Sequence, residues 1–188
     1  MTSFDFILVL LSFVFALAIG QVLTSAGRLL VARRRVKFSG LLALAMLNAL
    51  VTAFVSWLTM WSFRDTKGIN LYDVTAFFVM SILIYLNCMA ASPEPEEDEI
   101  DMEAFFWAQR RFYYGSYSLL VPVFIAGTVV FLRTSQPQLF VDQAVSNIPF
   151  LTVGVMAFFA RGRAVQWVMG LALLGLSIAW GIMFNNTF

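Results

Sequence analysis

The position of the charged residues is the feature that most constrains this chain. Six long stretches contain no Asp, Glu, Lys or Arg, and the 12 basic and 11 acidic residues all lie between these stretches or at their ends. About 20 helical residues cross the roughly 30 Å hydrocarbon core of a bilayer. The pattern predicts one all-α integral membrane domain over residues 1–188, a polytopic bundle of six transmembrane helices. These helices are expected at about residues 6–27, 38–63, 74–93, 112–132, 143–160 and 164–184.

The overall composition supports this interpretation. Hydrophobic residues make up 61% of the chain and charged residues 12%, whereas soluble domains have about 45–50% apolar and about 25% charged residues. So few charges cannot cover a surface that faces water. The composition argues against a soluble enzyme, a disordered protein and a nucleic-acid binder.

The basic residues predict the orientation of the bundle. Six helices place nine of the 12 basic residues on one side and three on the other. Because cytoplasmic loops carry an excess of Lys and Arg, we expect the side with nine to be cytoplasmic and both termini to be periplasmic. The nine are Arg28, Arg33, Arg34, Arg35, Lys37, Arg110, Arg111, Arg161 and Arg163.

Residues 92–111 form the longest predicted cytoplasmic segment. Ser92 is a candidate N-cap, Pro93 suits a first helical turn, and acidic side chains favour the positive end of a helix dipole. We therefore predict an acidic cytoplasmic helix before helix 4, which either runs straight into helix 4 or lies flat on the bilayer. Helix 5 is either short, or begins near Pro137 and kinks at Pro149.

The two groups of opposite charge on the cytoplasmic side suggest docking. The acidic residues are expected to dock on the basic turn between helices 1 and 2 (residues 33–37) or on a basic partner, and the basic residues to bind lipid headgroups or a partner. The acidic set is Glu96, Glu97, Asp98 and Glu99. The basic set is Arg33, Arg34, Arg35, Lys37, Arg110 and Arg111.

Helix 2 carries a stripe of polar residues. Asn48, Thr52 and Ser56 follow one another at intervals of four residues, which places them on one helix face. The stripe either forms hydrogen bonds between helices or lines a pathway, and hydrogen bonding is the commoner use of such residues in bundles.

Small residues four positions apart mark faces where helices can approach closely. Helix 1 has the pair Ala16 and Gly20. Helix 6 has two pairs, on different faces: Gly175 with Ala179, and Ser177 with Gly181. These faces are expected to pack within the chain or against another subunit.

Several short motifs together resemble a group of six-helix bacterial inner-membrane proteins that has no assigned activity. The motifs are Asp5-Phe6, Gly20-Gln21, Gly27-Arg28-Leu29, Arg33-Arg34-Arg35-Val36, Trp57, Trp61, Arg64-Asp65, Tyr85-Leu86 ahead of Pro93, and Gln109-Arg110-Arg111-Phe112-Tyr113. The resemblance implies the topology and a bacterial inner membrane, and it implies no function.

The absent residue types narrow the function. The chain has no histidine and only one cysteine, so His-ligated haem or chlorophyll, an intrachain disulfide and a Cys-based zinc site within one chain are excluded. Predicted spans without ionisable groups argue against proton relays, voltage sensing and intramembrane proteolysis. We expect no catalytic residues, no metal and no required cofactor, although the many aromatic residues would suit a bound lipid or hydrophobic pigment.

The sequence therefore predicts a non-enzymatic accessory or structural subunit. Its expected partners are membrane lipids and other membrane proteins or a second copy of the chain, and no nucleic acid. The alternative is an oligomeric transporter or channel for a neutral or apolar solute, lined by the stripe on helix 2.

Overall fold

The computed structural model describes residues 3–61, 71–94, 100–135 and 137–184. Over these ranges the chain forms six α-helices and a pair of two-residue strands, which confirms the all-α prediction. The helices are α1 (Ser3–Val31), α2 (Gly40–Trp61), α3 (Leu71–Ala90), α4 (Met102–Ser135), α5 (Pro137–Phe159) and α6 (Arg163–Phe184). The strands are β1 (Val36–Lys37) and β2 (Ile100–Asp101), which pair in parallel.

Three of the helices are long and apolar enough to cross a membrane. These segments, found among the described residues, are Ile7–Val31, Gly40–Met60 and Arg163–Met183. Two shorter apolar segments, Val74–Ala90 and Ala144–Phe159, lie in α3 and α5. Long apolar helices suit a bilayer because a helix satisfies its own backbone hydrogen bonds where no water is present.

The helix ends differ from the predicted ones mainly around α4 and α5. α4 begins at Met102 and continues to Ser135. Residues 102–111 of the predicted cytoplasmic segment are therefore helical and run straight into the predicted helix 4. α5 begins at Pro137 with Pro149 inside it, which matches the longer of the two alternatives for helix 5. Proline is tolerated in the first turn of a helix because its missing N–H would have no partner there.

The prediction that a helix begins at Ser92 is wrong. Ser92 follows α3, and its hydroxyl donates to the carbonyl of Cys88 at 2.7 Å. The N-cap of α4 is Asp101, whose carboxylate accepts hydrogen bonds from the backbone N–H groups of Glu103 (2.9 Å) and Ala104 (3.0 Å). Residues 92–94 are not helical, 100–101 form β2, and residues 95–99 lie outside the described part of the chain.

α2 lies at the centre of the bundle and packs against α1, α3, α4 and α6. Its residues Ala45, Ala49 and Ala53 are all buried at intervals of four. Small side chains let neighbouring helices approach the α2 backbone. Two neighbours use this access: the hydroxyl of Tyr113 donates to the carbonyl of Ala45 at 3.2 Å, and the thiol of Cys88 lies 3.7 Å from the carbonyl of Ala49.

α6 packs closely against α2 at Gly170. A Cβ atom on Gly170 would lie 2.6 Å from Cδ2 of Leu44, so a larger side chain does not fit without movement. By contrast, a Cβ atom on Gly175, five residues further along α6, would meet nothing within 4 Å. The two glycines therefore have different environments on one helix.

We expect Gly170→Val to lower the free energy of unfolding by about 1–3 kcal/mol, the usual effect of overpacking a core. Gly175→Val is the matched control, because it makes the same change of helix propensity in open space. Reversible unfolding of both variants in detergent micelles measures the difference. Equal losses of stability would show that α6 does not approach α2 as described.

Candidate functional site

The predicted polar stripe on α2 divides into two parts. Asn48 is 2% exposed, and its amide nitrogen donates to the carbonyl of Gly170 on α6 at 2.9 Å. It therefore forms a hydrogen bond between helices. Thr52 and Ser56 instead line a cavity of about 90 Å³.

This cavity lies among five helices, in the half of the bundle remote from β1 and β2. Its α2 residues come from the second half of that helix, and its α6 residues lie well beyond Arg163, where α6 begins. The lining residues are Thr52, Val55, Ser56, Thr59, Met60, Phe77, Met80, Tyr117, Leu120, Val121, Phe124, Asn147, Phe150, Ser177 and Trp180.

Hydroxyl groups meet on one side of the cavity. The hydroxyl of Tyr117 on α4 lies close to those of Thr52 on α2 and Ser177 on α6. The hydroxyl of Thr52 is buried and has no hydrogen-bond partner among the described residues. Tyr117 and Ser177 are 3% and 4% exposed. Because a hydroxyl can both donate and accept, these three groups can bind either kind of polar atom. Thr59 differs from them, since its hydroxyl donates to the carbonyl of Val55 in its own helix at 2.8 Å.

Aromatic rings form another part of the wall. The ring of Trp180 packs edge-to-face against Phe124 and Phe150, with ring centroids 6.2 Å and 6.0 Å apart. This arrangement is favourable for aromatic pairs. The cavity therefore combines a group of hydroxyls with a rigid apolar wall.

No Asp, Glu, Lys or Arg contributes to the lining as the structure describes it. The described residues also contain no group of three or more metal-ligating side chains. A charged solute loses its hydration in such surroundings without a compensating charge. The arrangement thus suits neutral molecules.

A second polar site lies at the opposite end of the bundle, where α5 ends. Arg110 is 6% exposed, its guanidinium donates to the carbonyl of Ala160, and it lies 5.3 Å from the ring centroid of Trp107. Gln166 donates to the carbonyls of Ala157 (2.9 Å) and Ala160 (2.8 Å). These bonds satisfy terminal carbonyls of α5, which have no partner within the helix. Burial lowers the pKa of Arg110, and the charges of Arg111 and Arg161 lower it further.

The predicted basic set therefore separates. Arg110 points into the bundle as a helix cap, whereas Arg33, Arg34, Arg35 and Arg111 are exposed. Binding of anionic headgroups or of a partner by the exposed arginines stays a prediction.

Lys37 takes part in the strand pair instead. It forms a 2.6 Å ion pair with Asp101, while the N–H of Ile100 donates to the carbonyl of Arg35 at 3.1 Å. The hydrogen bond with Asp101 raises the pKa of Lys37, and the same bond lowers the pKa of Asp101. The pair weakens only when the pH falls through the lowered pKa of Asp101 or rises through the raised pKa of Lys37.

The acidic set of residues 96–99 lies outside the described residues, so its predicted docking stays a prediction. Two acidic side chains that follow it are placed against basic ones. Asp101 pairs with Lys37, and the carboxylate of Glu103 lies 3.4 Å from the guanidinium of Arg163. The start of α4 is therefore held to the α1–α2 turn and to the start of α6.

The predicted small-residue pairs face different surroundings. Ala16 and Ala179 are exposed, and a Cβ on Gly20 or Gly175 would meet nothing within 4 Å. Ser177 lines the cavity. A Cβ on Gly181 would lie 3.3 Å from Val55. Only the pair of Ser177 and Gly181 therefore packs within the described bundle.

Sequence reasoning missed most of the cavity lining. The four-residue spacing of Tyr113 and Tyr117 indicates a shared helix face, but it does not show that this face meets Thr52. Trp180, Asn147 and Phe150 join the cavity only through the packing of α5 and α6. The chain matches no protein-family model, no curated protein and no solved structure.

We expect Arg110→Met to lower the free energy of unfolding by about 1.5–3 kcal/mol, the usual contribution of a hydrogen bond to a charged group. Arg111→Met is the matched control, since it removes an exposed charge next to it in the chain. Thermal or denaturant unfolding in detergent checks both. A larger loss for Arg111→Met would contradict the capping role of Arg110.

Proposed function

We propose that the chain is a six-span integral protein of a bacterial inner membrane. What supports six spans is the outer surface: each of the six helices exposes large apolar side chains. Examples, one from each helix in order, are Leu17 (65% exposed), Phe54 (52%), Phe78 (42%), Leu119 (55%), Ile148 (55%) and Leu171 (55%). A surface of this kind on every helix is unfavourable in water and favourable in lipid.

In the proposed orientation both termini are periplasmic and the basic end of the bundle is cytoplasmic. Support comes from the contacts that hold basic residues from two regions of the chain against the start of α4. Lys37 pairs with Asp101 at the start of α4, and Arg163 at the start of α6 pairs with Glu103. An excess of basic residues at one end is typical of the cytoplasmic side.

The role we propose is non-enzymatic: an accessory or structural subunit that packs against lipids and against other membrane proteins or a second copy of the chain. The observation that carries this role is the pair of outward faces with small residues, Ala16 and Gly20 on α1, and Gly175 and Ala179 on α6. Small residues let another helix approach closely in lipid. Ala16 and Ala179 are exposed, and a Cβ atom on Gly20 or Gly175 would meet nothing within 4 Å among the described residues.

Gly20→Leu and Gly175→Leu test this role. We expect native mass spectrometry of gently extracted protein to show loss of a partner or of the oligomer in at least one variant. Since both positions face open space and leucine favours a helix more than glycine does, the unfolding midpoint of the dissociated chain should not fall. A wild-type chain that is monomeric and carries only lipid would contradict the proposed role.

Single cysteines in a Cys88→Ser background test the orientation separately. We expect Arg34→Cys to resist a membrane-impermeant thiol reagent added to intact spheroplasts, and Asp142→Cys to react with it. The reverse pattern would invert the proposed topology without affecting the proposed role.

The cavity favours a second candidate function, a transporter or channel for a neutral or apolar solute. The same Cys88→Ser background allows an accessibility scan of α2. If solute reaches the cavity through water, Thr52→Cys and Ser56→Cys should react with a small hydrophilic thiol reagent, whereas Asn48→Cys should be protected. Protection at all three positions would argue against transport and would leave packing as the single supported role.

A further inference from the structure

We propose that the cavity among the five helices α2 to α6 is a binding site for a small neutral molecule that carries one hydroxyl or carbonyl oxygen on an apolar body. This inference rests on the cavity of the second candidate function, but it does not require that the molecule is moved across the membrane. It identifies the class of ligand and the part of the cavity that holds each end.

The polar end of the ligand would bind at Tyr117, Thr52 and Ser177. Their side chains come from three helices and line the same cavity, with the hydroxyl of Tyr117 close to the other two. The hydroxyl of Thr52 is buried without a hydrogen-bond partner among the described residues, so it can accept or donate to a ligand. Tyr117 and Ser177 are both more than nine-tenths buried. A ligand hydroxyl could donate to one of these oxygens and accept from another, and a carbonyl oxygen could accept from either.

The apolar end of the ligand would lie against Trp180 and the two rings that hold it, Phe124 and Phe150. Their edge-to-face contacts, with centroids 6.2 Å and 6.0 Å from that of Trp180, fix the wall. An aromatic ring of the ligand would add further edge-to-face contacts, which contribute beyond the area that they bury.

Size and charge limit the ligand further. An apolar cavity of about 150 Å³ holds benzene. This cavity is smaller, about 90 Å³, but it is not fully enclosed, so it takes a short-chain molecule whole and a one-ring molecule with part of the ring in the opening. The described lining contains no acidic or basic side chain, so a charged molecule would lose its hydration without a counter-charge. Phenol therefore represents the proposed class, and benzene lacks only the polar atom.

The tryptophans allow a direct test in the full-length chain. The reporter variant keeps Trp180 and replaces Trp57, Trp61, Trp107 and Trp167 by Phe. The reference variant keeps only Trp167, which is exposed on the same helix near its other end, and so reports partitioning of the probe into detergent or lipid. Phenol and benzene are titrated into each variant, and indole emission is excited at the red edge of its band, where neither probe absorbs.

We expect Trp180 emission to change saturably with phenol, with an affinity at least about threefold higher than for benzene. Ser177→Ala and Thr52→Val in the reporter variant should each weaken phenol binding about two- to tenfold, the usual effect of one hydrogen bond. Thr152→Val is the matched control, since Thr152 is exposed on α5 and its hydroxyl donates to the carbonyl of Ile148 in its own helix.

Three results would overturn the inference. Trp180 emission could follow phenol linearly, as Trp167 emission does, or phenol and benzene could bind equally well. Alternatively, Ser177→Ala and Thr52→Val could bind phenol as tightly as Thr152→Val does. The comparison of phenol with benzene needs no change at the hydroxyls, so it remains decisive even if those two variants fail to fold. Saturable phenol binding without thiol accessibility at Thr52 would support the site and argue against transport.

Discussion

Hydrogen-bonding groups inside an apolar bundle need partners from the protein itself, and the helix arrangement depends on how this chain supplies them. Amide side chains do much of this work. Asn48 on α2 bonds to the carbonyl of Gly170 on α6, and Asn87 on α3 bonds to the carbonyl of Tyr113 on α4 at 2.8 Å. The first bond joins helices that are far apart in the sequence and the second joins the consecutive helices α3 and α4, so a few polar residues help to select which helices become neighbours. Dispersion and apolar packing alone are less selective, because lipid tails are as apolar as leucine.

The two ends of the bundle satisfy their polar groups differently. At the basic end, charged side chains meet backbone or opposite charge, as Arg110 does at Ala160 and Lys37 does at Asp101. At the other end, the hydroxyls of Thr52, Tyr117 and Ser177 meet on one side of a cavity, and that of Thr52 has no hydrogen-bond partner among the described residues. Hydroxyls placed in this way remain able to take a new partner, whereas a capped helix end does not. This difference is why the cavity is the part of the described bundle that suits a ligand.

The helices could be predicted from the sequence because each apolar stretch is bounded by charges, a signal that needs no knowledge of neighbours. The ends were harder to predict. Ser92 and Asp101 are both good N-cap residue types, and only the structure shows that the hydroxyl of Ser92 bonds back to α3 while Asp101 caps α4. Arg110 and Arg111 are adjacent and identical in type. One residue is a rotation of about 100° around a helix, so one of them faces inward, and the sequence does not show which.

The cavity shows the same limit more clearly. The stripe on α2 could be predicted from its spacing, but the separation of Asn48 from Thr52 depends on where α6 approaches. Gly170 brings the α6 backbone within reach of Asn48, and Ser177, seven residues later, faces Tyr117 instead. Composition and spacing within one helix cannot show this, because the information lies in the register between two helices.

α6 presents two independent surfaces, and this separates the two proposed roles. Its inward face carries Gly170, Ser177 and Trp180, all buried. Its outward face carries Gly175 and Ala179, both exposed. Because these faces point in different directions around one helix, a side chain added at Gly175 enters space outside the bundle and leaves the cavity lining in place. Packing against a partner and binding of a neutral ligand therefore do not compete for the same residues, and each role can be lost while the other is kept.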